Sequence, residues 1–195
     1  QEVLRVLTAL RSGGLCREDW MPEQSGIDIL GSISPGRFFS HYLVDSQIGA
    51  GTFAKVYLAR DLQLDRQVAL KVFKPDCPVT PSVALAEARA AARLNHPNVC
   101  TIYAVDDTAG IPIISMEYVP GKPLSHLHRD QPVPVEELLH IGRQIAGGVS
   151  AAHDEEIVHG DLKPENVMIG VDLTVKILDF GLARRLRRLR SISPD

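Results

Sequence analysis

The sequence has few cysteines and lacks any long apolar run. Its three cysteines, Cys16, Cys77 and Cys100, lie far apart, and none belongs to a Cys-x-x-Cys pair. This usage argues against a disulfide framework or a zinc site and favours a reducing, cytoplasmic compartment. No run of roughly 18 apolar residues is present, so the sequence predicts no transmembrane helix, and no signal peptide is recognisable.

The chain also lacks an excess of positive charge. Its formal net charge is −3 and its isoelectric point is about 6.2, so a nucleic-acid-binding function is not indicated. The arginines between positions 184 and 190 are a local exception, which we interpret as a solvated face or tail. Hydrophobic residues make up 45% and charged residues 23% of the chain, which is the balance of an ordinary globular protein.

Composition divides the chain into three segments. Residues 1–39 include a Gly-, Ser- and Pro-rich stretch between Ser25 and Gly36, and we expect them to form a flexible leader or linker. Residues 40–119 have the pattern of strands with one inserted helix, whereas residues 120–195 begin with a Pro-Gly break and continue into a long helix. We therefore predict two lobes that meet near residue 120.

The first lobe is predicted to contain five antiparallel strands and one helix. The strands are expected around Tyr42–Val44, Val56–Ala59, Gln67–Phe73, Val99–Val105 and Ile111–Tyr118, and the Ala-rich helix over Val83–Leu94. In the second lobe, apolar residues recur every three or four positions over Val135–His153, which predicts an amphipathic helix. Two short strands, Val167–Ile169 and Val175–Leu178, are expected after it.

A glycine-containing turn lies between the first two predicted strands. Gly49 and Gly51 are one residue apart, and without side chains there the backbone N–H groups can approach phosphate oxygens. By itself the pattern is at least as typical of an ordinary hairpin turn. A dinucleotide-binding motif is disfavoured because a strand follows, and a Walker A loop is excluded because Gly-Lys-Ser/Thr is missing.

A lysine follows the apolar residues Val68-Ala69-Leu70 of the third strand, downstream of the glycine turn. Most strand lysines face solvent, but a cation beneath a phosphate-binding loop can pair with a nucleotide's phosphates, which favours that role for Lys71. Glu87, in the predicted helix, is the candidate partner that would hold the Lys71 rotamer. Arg89 and Arg93 on the same helix are alternative partners for Glu87.

The segment His159-Gly160-Asp161-Leu162-Lys163-Pro164-Glu165-Asn166 carries the strongest chemical pattern in the chain. Asp161 can orient a hydroxyl group and accept its proton, and Lys163 can neutralise a phosphoryl group in transfer. Asn166 can ligate Mg²⁺ through its amide oxygen, and Asp179, in Asp179-Phe180-Gly181, is the natural second ligand. Each fragment alone could be an ordinary structural feature without a function. Their order and spacing together are not easily explained in that way.

The order of these parts resembles the protein kinase family over about residues 42–183. The motif Asp-Leu-Lys-Pro-Glu-Asn is similar to that of the eukaryotic-type serine/threonine branch, which includes kinases found in bacteria. The resemblance implies a catalytic set with Lys71 bound to the α- and β-phosphates of ATP and to Glu87, Asp161 as base, and Lys163 on the γ-phosphate. It also implies that Asn166 and Asp179 hold Mg²⁺.

The resemblance further implies where ATP lies. The loop Ile48, Gly49, Ala50, Gly51, Thr52 and Phe53 would cover the phosphates. Val56, Ala69 and Met168 would enclose the adenine between apolar faces, and Met116 would stand at the back of the pocket. The backbone groups of Glu117 and Val119 would form hydrogen bonds with the adenine, as in a pocket with apolar walls and few polar contacts.

Three features depart from the family pattern. Ala54 replaces the third glycine of the loop, for which we expect a small effect. Gly160 stands where an arginine normally clamps a phosphate on the activation loop, so we predict no control by phosphorylation of that loop. No Ala-Pro-Glu motif or later helices follow before Asp195, so we expect a truncated kinase domain with weak stability and little turnover.

We thus predict an α+β fold of the bilobal protein-kinase type, with a five-stranded antiparallel first lobe, one helix and an incomplete helical second lobe. The predicted function is transfer of the ATP γ-phosphate to a Ser or Thr hydroxyl of a protein substrate, with ATP and Mg²⁺ as cofactors and no nucleic-acid partner. An ATP-binding or docking module without catalysis is the alternative. A small-molecule kinase of related fold is disfavoured because both characteristic motifs are intact.

Overall fold

The computed structural model describes residues 33–75, 77–78, 80–108, 111–127 and 132–180. Within these ranges the first lobe contains β1 (Phe38–Phe39), β2 (Tyr42–Ala50), β3 (Ala54–Asp61), β4 (Arg66–Phe73), α1 (Pro81–Ala91), β5 (Ile102–Thr108) and β6 (Ile111–Glu117). The second lobe contains β7 (Gly121–Pro123), α2 (Val135–Asp154), β8 (Val167–Gly170) and β9 (Val175–Ile177). Short 3-10 helices cover Leu124–His126 and Pro164–Asn166.

The first lobe is built on one antiparallel sheet in the order β1-β2-β3-β4-β6-β5. Strand β4 lies at its centre, and Val68 to Phe73 are all buried because both faces of this strand are covered. Such a strand has a continuous apolar run rather than an alternating pattern. One face packs into a core cluster that includes Val44, Tyr57, Val68 and Leu70.

The sheet begins earlier in the chain than the predicted lobe boundary at residue 40. Phe38 and Phe39 form the short strand β1, which pairs with Leu43 and Tyr42 of β2. Ile33 is only 1% exposed and belongs to the core of the sheet. The sheet therefore has one strand more than the five predicted, because apolar side chains just before the boundary complete its core. Residues 1–32 of the predicted leader lie outside the described residues.

Helix α1 covers one face of the sheet against β5 and β6. It begins with Pro81, a residue suited to the first turn because that turn needs no N–H donor from it. Its buried side chains are small or apolar and lie on one face, namely Ala84, Leu85, Ala88 and Ala91. The helix ends at Ala91 rather than at the predicted Leu94, which follows in a turn and is itself buried.

The described part of the second lobe consists of α2 and a three-stranded antiparallel sheet, β7-β8-β9. Helix α2 buries Ile141, Gly148 and Ala152, whereas Leu138 and Leu139 on its first turns remain more than half exposed. Strand β7 was not predicted from the sequence. It depends on Gly121, where a Cβ atom would collide with the backbone of Ile169.

Backbone hydrogen bonds and a shared apolar core help to join the lobes. The segment after α1 runs beside β9, with Cys100 N donating to Ile177 O at 2.9 Å and Ile177 N donating to Asn98 O at 2.9 Å. Side chains of this segment, α2 and β9 share one core cluster that includes Val99, Ile141 and Ile177. Among the described residues, no helix combines the length and the apolar character needed to cross a membrane.

Candidate active site

The glycine turn connects β2 and β3 as a tight hairpin. Gly49 pairs with Val56 and Ala50 with Lys55, and Gly51 N donates a 2.8 Å hydrogen bond to Ala54 O. A register shift between Gln47 and Gly49 bends the strand just before the turn. The two remaining loop residues, Thr52 and Phe53, and the preceding Ile48 are exposed. The Gly51 N–H would therefore reach a phosphate only if the bond to Ala54 opened.

Lys71 points from the central strand into the space between the lobes. Its side chain is 10% exposed, and its Nζ lies 2.6 Å from Asp179 Oδ1, whose side chain is 33% exposed. Asp179 has a φ of 58°, a left-handed conformation in which Asp is enriched but which still carries some strain. Because the pair is partly buried, water and salt screen its charges less than those of a surface pair. Removing one partner would therefore leave a poorly solvated charge.

Glu87 lies half-buried on α1, on the side of the helix that faces the sheet. Lys71 forms an ion pair with Asp179, 108 residues away in the sequence. The predicted pair between Lys71 and Glu87 stays a prediction. The Lys71–Asp179 contact brings together two residues that the sequence assigned to different parts of one site.

The catalytic-loop candidates Asp161 and Lys163 lie at the surface and contact each other. Lys163 Nζ is 2.7 Å from Asp161 Oδ2, and both side chains are about half exposed at 48% and 50%. The hydrogen bond to the Asp161 carboxylate raises the pKa of Lys163 above its usual value. Lys163 therefore remains a cation at neutral pH, and Asp161 presents an oxygen to solvent next to it.

His159 connects this loop to the segment after β9 that contains Asp179. The imidazole is buried, accepts a hydrogen bond from Asp161 N at Nδ1 (3.3 Å) and contacts Leu178 O through Nε2 at 2.8 Å. Both contacts are satisfied by the neutral tautomer protonated at Nε2. The ring also packs against Phe180, with 4.7 Å between ring centroids. The sequence pattern contained His159 but did not reveal this positioning contact.

Gly160 occupies a backbone position that favours glycine. Its φ is 78°, in the left-handed region where a Cβ atom causes strain. The departure from the family's arginine therefore coincides with a turn that glycine adopts readily. The prediction about activation-loop control concerns residues beyond 180, which lie outside the described residues.

Asn166 and Asp179 are held near one another by the backbone, and their donor atoms suit a hard cation. Asn166 Nδ2 donates to Asp161 O at 2.9 Å, which turns the amide oxygen away from that carbonyl, and Leu178 N donates to Asn166 O at 2.8 Å. One amide oxygen and one carboxylate, completed by water and phosphate oxygens, match the ligands that Mg²⁺ prefers. The residues present therefore fit the predicted metal.

Two of the residues predicted to enclose adenine, Val56 and Ala69, belong to a small apolar cluster. Ala69, Cys100 and Met116 are buried together, with Val56 packed against them. Met168 lies on β8 and is half-buried, opposite Pro123 on one side and Lys176 on the other. The predicted backbone contacts come from Glu117, the last residue of β6, and Val119, which follows it.

A small cavity of about 30 Å³ lies behind Met116. Lys71, Cys100, Asp179 and Phe180 contribute to its lining, so it connects the ion pair with the apolar cluster. The cavity has room for about two water molecules and is far smaller than a nucleotide pocket. It is therefore the inner end of the cleft and not the place for adenine itself.

Two polar residues outside the predicted set organise the cleft. Lys176 Nζ lies 2.8 Å from Glu117 Oε2, and Gln144 forms hydrogen bonds with Asn98, Leu173 and Val175. A lysine in the middle of the apolar strand Val175–Ile177 is the one sequence signal that could have pointed to Lys176. Its partner is 59 residues away, so only the folded chain reveals the pair.

The chain is similar to known proteins over most of its length. Residues 42–193 match the protein kinase domain family. Serine/threonine-protein kinase PknB of Mycobacterium leprae is 36% identical over 168 residues, which are 82% of this chain and 27% of that protein. Serine/threonine-protein kinase PrkC of Bacillus subtilis is 37% identical over 154 residues, which are 77% of this chain and 24% of that protein.

A solved structure supports the fold independently. The apo form of PpkA-294 matches with a TM-score of 0.71 at 23% identity, covering 84% of this chain and 68% of that chain. The chain spans about a quarter of the length of the two curated relatives. The predicted bilobal α+β fold and the predicted resemblance to serine/threonine kinases are confirmed. Because the family match extends over most of the sequence and includes the residues that form the cleft, the chain belongs to the protein kinase domain family.

Proposed function

We propose that this chain forms the nucleotide-binding and catalytic-loop part of a serine/threonine protein kinase, which transfers the γ-phosphate of ATP to a protein hydroxyl. The observation that carries the proposal is the 2.6 Å ion pair between Lys71 and Asp179. It joins the strand beneath the glycine turn to the segment that follows the catalytic loop. A cation and a carboxylate at this junction can bind the two charged parts of a magnesium nucleotide.

The catalytic loop supplies the groups for the transfer. Asp161 would accept the proton of the substrate hydroxyl as its oxygen bonds to the γ-phosphorus, while the bond to the bridging oxygen breaks and ADP leaves. Lys163, whose pKa is raised by Asp161, would place its positive charge beside the phosphoryl oxygens. Bound Mg²⁺, held by Asn166 and Asp179, would neutralise phosphate charge. The residues thus act by position and charge rather than by covalent chemistry.

The nucleotide would lie between the hairpin and the apolar cluster. Val56, Ala69 and Met168 would enclose the adenine, and Glu117 and Val119 would offer backbone hydrogen bonds at its edge. The loop from Ile48 to Phe53 would cover the phosphates, and Gly51 would contribute its N–H once the hairpin bond to Ala54 opened. The protein substrate and its Ser or Thr hydroxyl would approach Asp161 from solvent, because Asp161 is exposed.

The compartment we propose is the reducing cytoplasm. Cys77 and Cys100 are both free thiols, which fits a compartment in which disulfides do not persist. The relatives PknB and PrkC are named serine/threonine-protein kinases, and that substrate class is the one we propose here.

The first experiment is calorimetric titration of the purified chain with ATP in the presence and absence of Mg²⁺. Lys71→Met and Asp179→Asn are expected to weaken Mg-ATP binding about 10- to 100-fold, since each removes a charge-assisted contact. The exposed residues Lys122 and Asp45 provide matched controls, and Lys122→Met and Asp45→Asn should leave binding unchanged. A folded chain that binds no Mg-ATP would contradict the proposal.

A transfer assay separates the two candidate functions. Incorporation of labelled phosphate into a serine- and threonine-containing protein, lost in Asp161→Asn, would identify an enzyme. Binding of Mg-ATP without transfer would identify an ATP-binding or docking module instead.

A further inference from the structure

Glu117, at the proposed adenine edge, has its side chain held on two sides. Glu117 Oε2 accepts a hydrogen bond from Lys176 Nζ at 2.8 Å and another from Thr101 N at 3.2 Å. The backbone of Glu117 is bound to the same neighbour, because Glu117 N donates to Thr101 O at 2.8 Å. Three contacts therefore fix one residue between two segments that are distant in the sequence.

The ion pair is shielded from solvent more than most surface pairs. The Lys176 side chain is 17% exposed and that of Glu117 is 24% exposed. A half-buried pair is less screened by salt and water than an exposed one, so its loss affects the orientation of both side chains. Lys176 also lies three residues before Asp179, on the strand β9 that leads to the proposed metal ligand.

The main-chain oxygen of Glu117 receives a weak contact from a thiol. The Cys100 thiol contacts this oxygen at 3.6 Å, which is a long and weak hydrogen bond. Burial, reinforced by the nearby Glu117 carboxylate, raises the pKa of Cys100 to about 12, so the thiol stays protonated. The carbonyl therefore retains an acceptor position for a stronger N–H donor on a ligand.

We propose that Lys176 is a positioning residue for adenine recognition: by holding the Glu117 carboxylate, it aims the Glu117 main-chain oxygen at the amino group of the adenine base. The inference rests on the proposed ATP-binding function and adds the residue that sets its preference for a 6-amino purine. Lys176 does not touch the nucleotide. It acts through Glu117, and it is connected to Asp179 through the backbone that follows β9.

The test compares two nucleotides that differ in one group. ATP and purine riboside triphosphate, which lacks only the 6-amino group, are titrated into the chain in the presence of Mg²⁺. One hydrogen bond corresponds to about a tenfold preference for ATP in the unaltered protein. Lys176→Met is expected to weaken ATP binding about five- to tenfold and to leave the analogue unchanged, so that the preference falls to about twofold or less.

Three further variants keep the test decisive. Lys176→Arg retains the positive charge and should restore most of the preference. Glu117→Gln keeps an oxygen for Thr101 N but loses the ion pair, and it should reduce the preference in the same selective way. It carries the test if Lys176→Met does not fold, as judged by circular dichroism. Lys122→Met, an exposed lysine on β7, is the matched control and should change neither affinity.

The outcomes are distinct. A folded Lys176→Met or Glu117→Gln protein that retains the full preference for ATP would overturn the inference. Equal weakening of both nucleotides would also overturn it, because it would show a general structural role. If the unaltered chain is folded and binds neither nucleotide, the proposed function fails and the inference fails with it. Binding of ATP with an unchanged preference in the variants refutes only the role of Lys176.

Discussion

The six-stranded sheet and the catalytic-loop region are stabilised by different kinds of contact. In the sheet, side chains such as Val44, Val68 and Leu70 are fully buried against one another, and the backbone groups pair along the strands. In the catalytic-loop region, single polar side chains bind the backbone of distant segments. Asn98 and Gln144 bind β9 and its preceding turn, and His159 binds Leu178.

This difference predicts how each region tolerates substitution. An apolar core responds mainly to lost volume, so replacements of similar size and polarity are tolerated. A polar contact responds to lost donors and acceptors, so even a replacement of equal size can be costly. The sheet should therefore be sensitive to truncation and the catalytic-loop region to changes in hydrogen bonding.

The largest effect is expected from truncation in the sheet. Leu70 is fully buried in β4, and Leu70→Ala should lower the free energy of unfolding by about 2–5 kcal/mol, because a cavity remains. Leu70→Met should cost less than about 1.5 kcal/mol because the volume is kept. Leu64, 63% exposed in the turn before β4, is the matched control. Equal urea midpoints for Leu70→Ala and Leu64→Ala would contradict the expected core.

A replacement of equal size should break the catalytic-loop region. Gln144 Nε2 donates to Leu173 O at 2.9 Å, and Gln144 Oε1 accepts from Asn98 Nδ2 and from Val175 N. Gln144→Glu removes the donor and places a charge near a carbonyl oxygen, so unfolding should become easier by about 1–3 kcal/mol. Gln67→Glu, at the exposed start of β4, should change stability by less than about 0.5 kcal/mol. Similar thermal midpoints for the two variants would contradict the contrast between regions.

Two glycines of α2 should respond in opposite directions. A Cβ at Gly148 would lie 2.9 Å from Ile177 Cδ1 and 3.1 Å from Asn98 O, whereas one at Gly142 would meet no atom within 4 Å. Gly148→Ala should therefore destabilise the chain by about 1–2 kcal/mol through overpacking. Gly142→Ala should stabilise it by about 0.5–1 kcal/mol, because alanine favours the helix. Chemical denaturation of both variants checks the sign, and destabilisation by Gly142→Ala would show that its face is covered.

The smallest effect concerns Cys100, where the two regions meet. Because burial raises the pKa of Cys100 to about 12, the folded chain keeps this thiol neutral and unreactive. Cys77 is only half-buried. Iodoacetamide at about pH 8 should label Cys77 and spare Cys100. The stability that the neutral Cys100 thiol contributes is present below the ordinary pKa of 9.0 and is lost as the pH rises toward 12. Peptide mass spectrometry that found Cys100 labelled as fast as Cys77 would contradict its burial.

Much of the fold could be predicted because its elements have local signals. The apolar run of β4, the Ala-rich sequence of α1 and the three-to-four-residue periodicity of α2 indicate their structures without knowledge of neighbours. The motifs around Asp161 and Asp179 were recognisable because catalysis requires particular residue types in a short span. Strands β1 and β7 were missed because two or three residues carry too little pattern and are ordered by their partner strands.

By itself, the sequence determined the order of the longer strands and helices, the family, and the residue types available for nucleotide and metal binding, since all of these depend on local periodicity and short motifs. Only the tertiary structure decided which charges meet. Lys71 pairs with Asp179 across 108 positions, and Lys176 pairs with Glu117 across 59. Pairing over such distances is set by the packing of the lobes, because the charges are brought together only when Val99, Ile141 and Ile177 close a shared core.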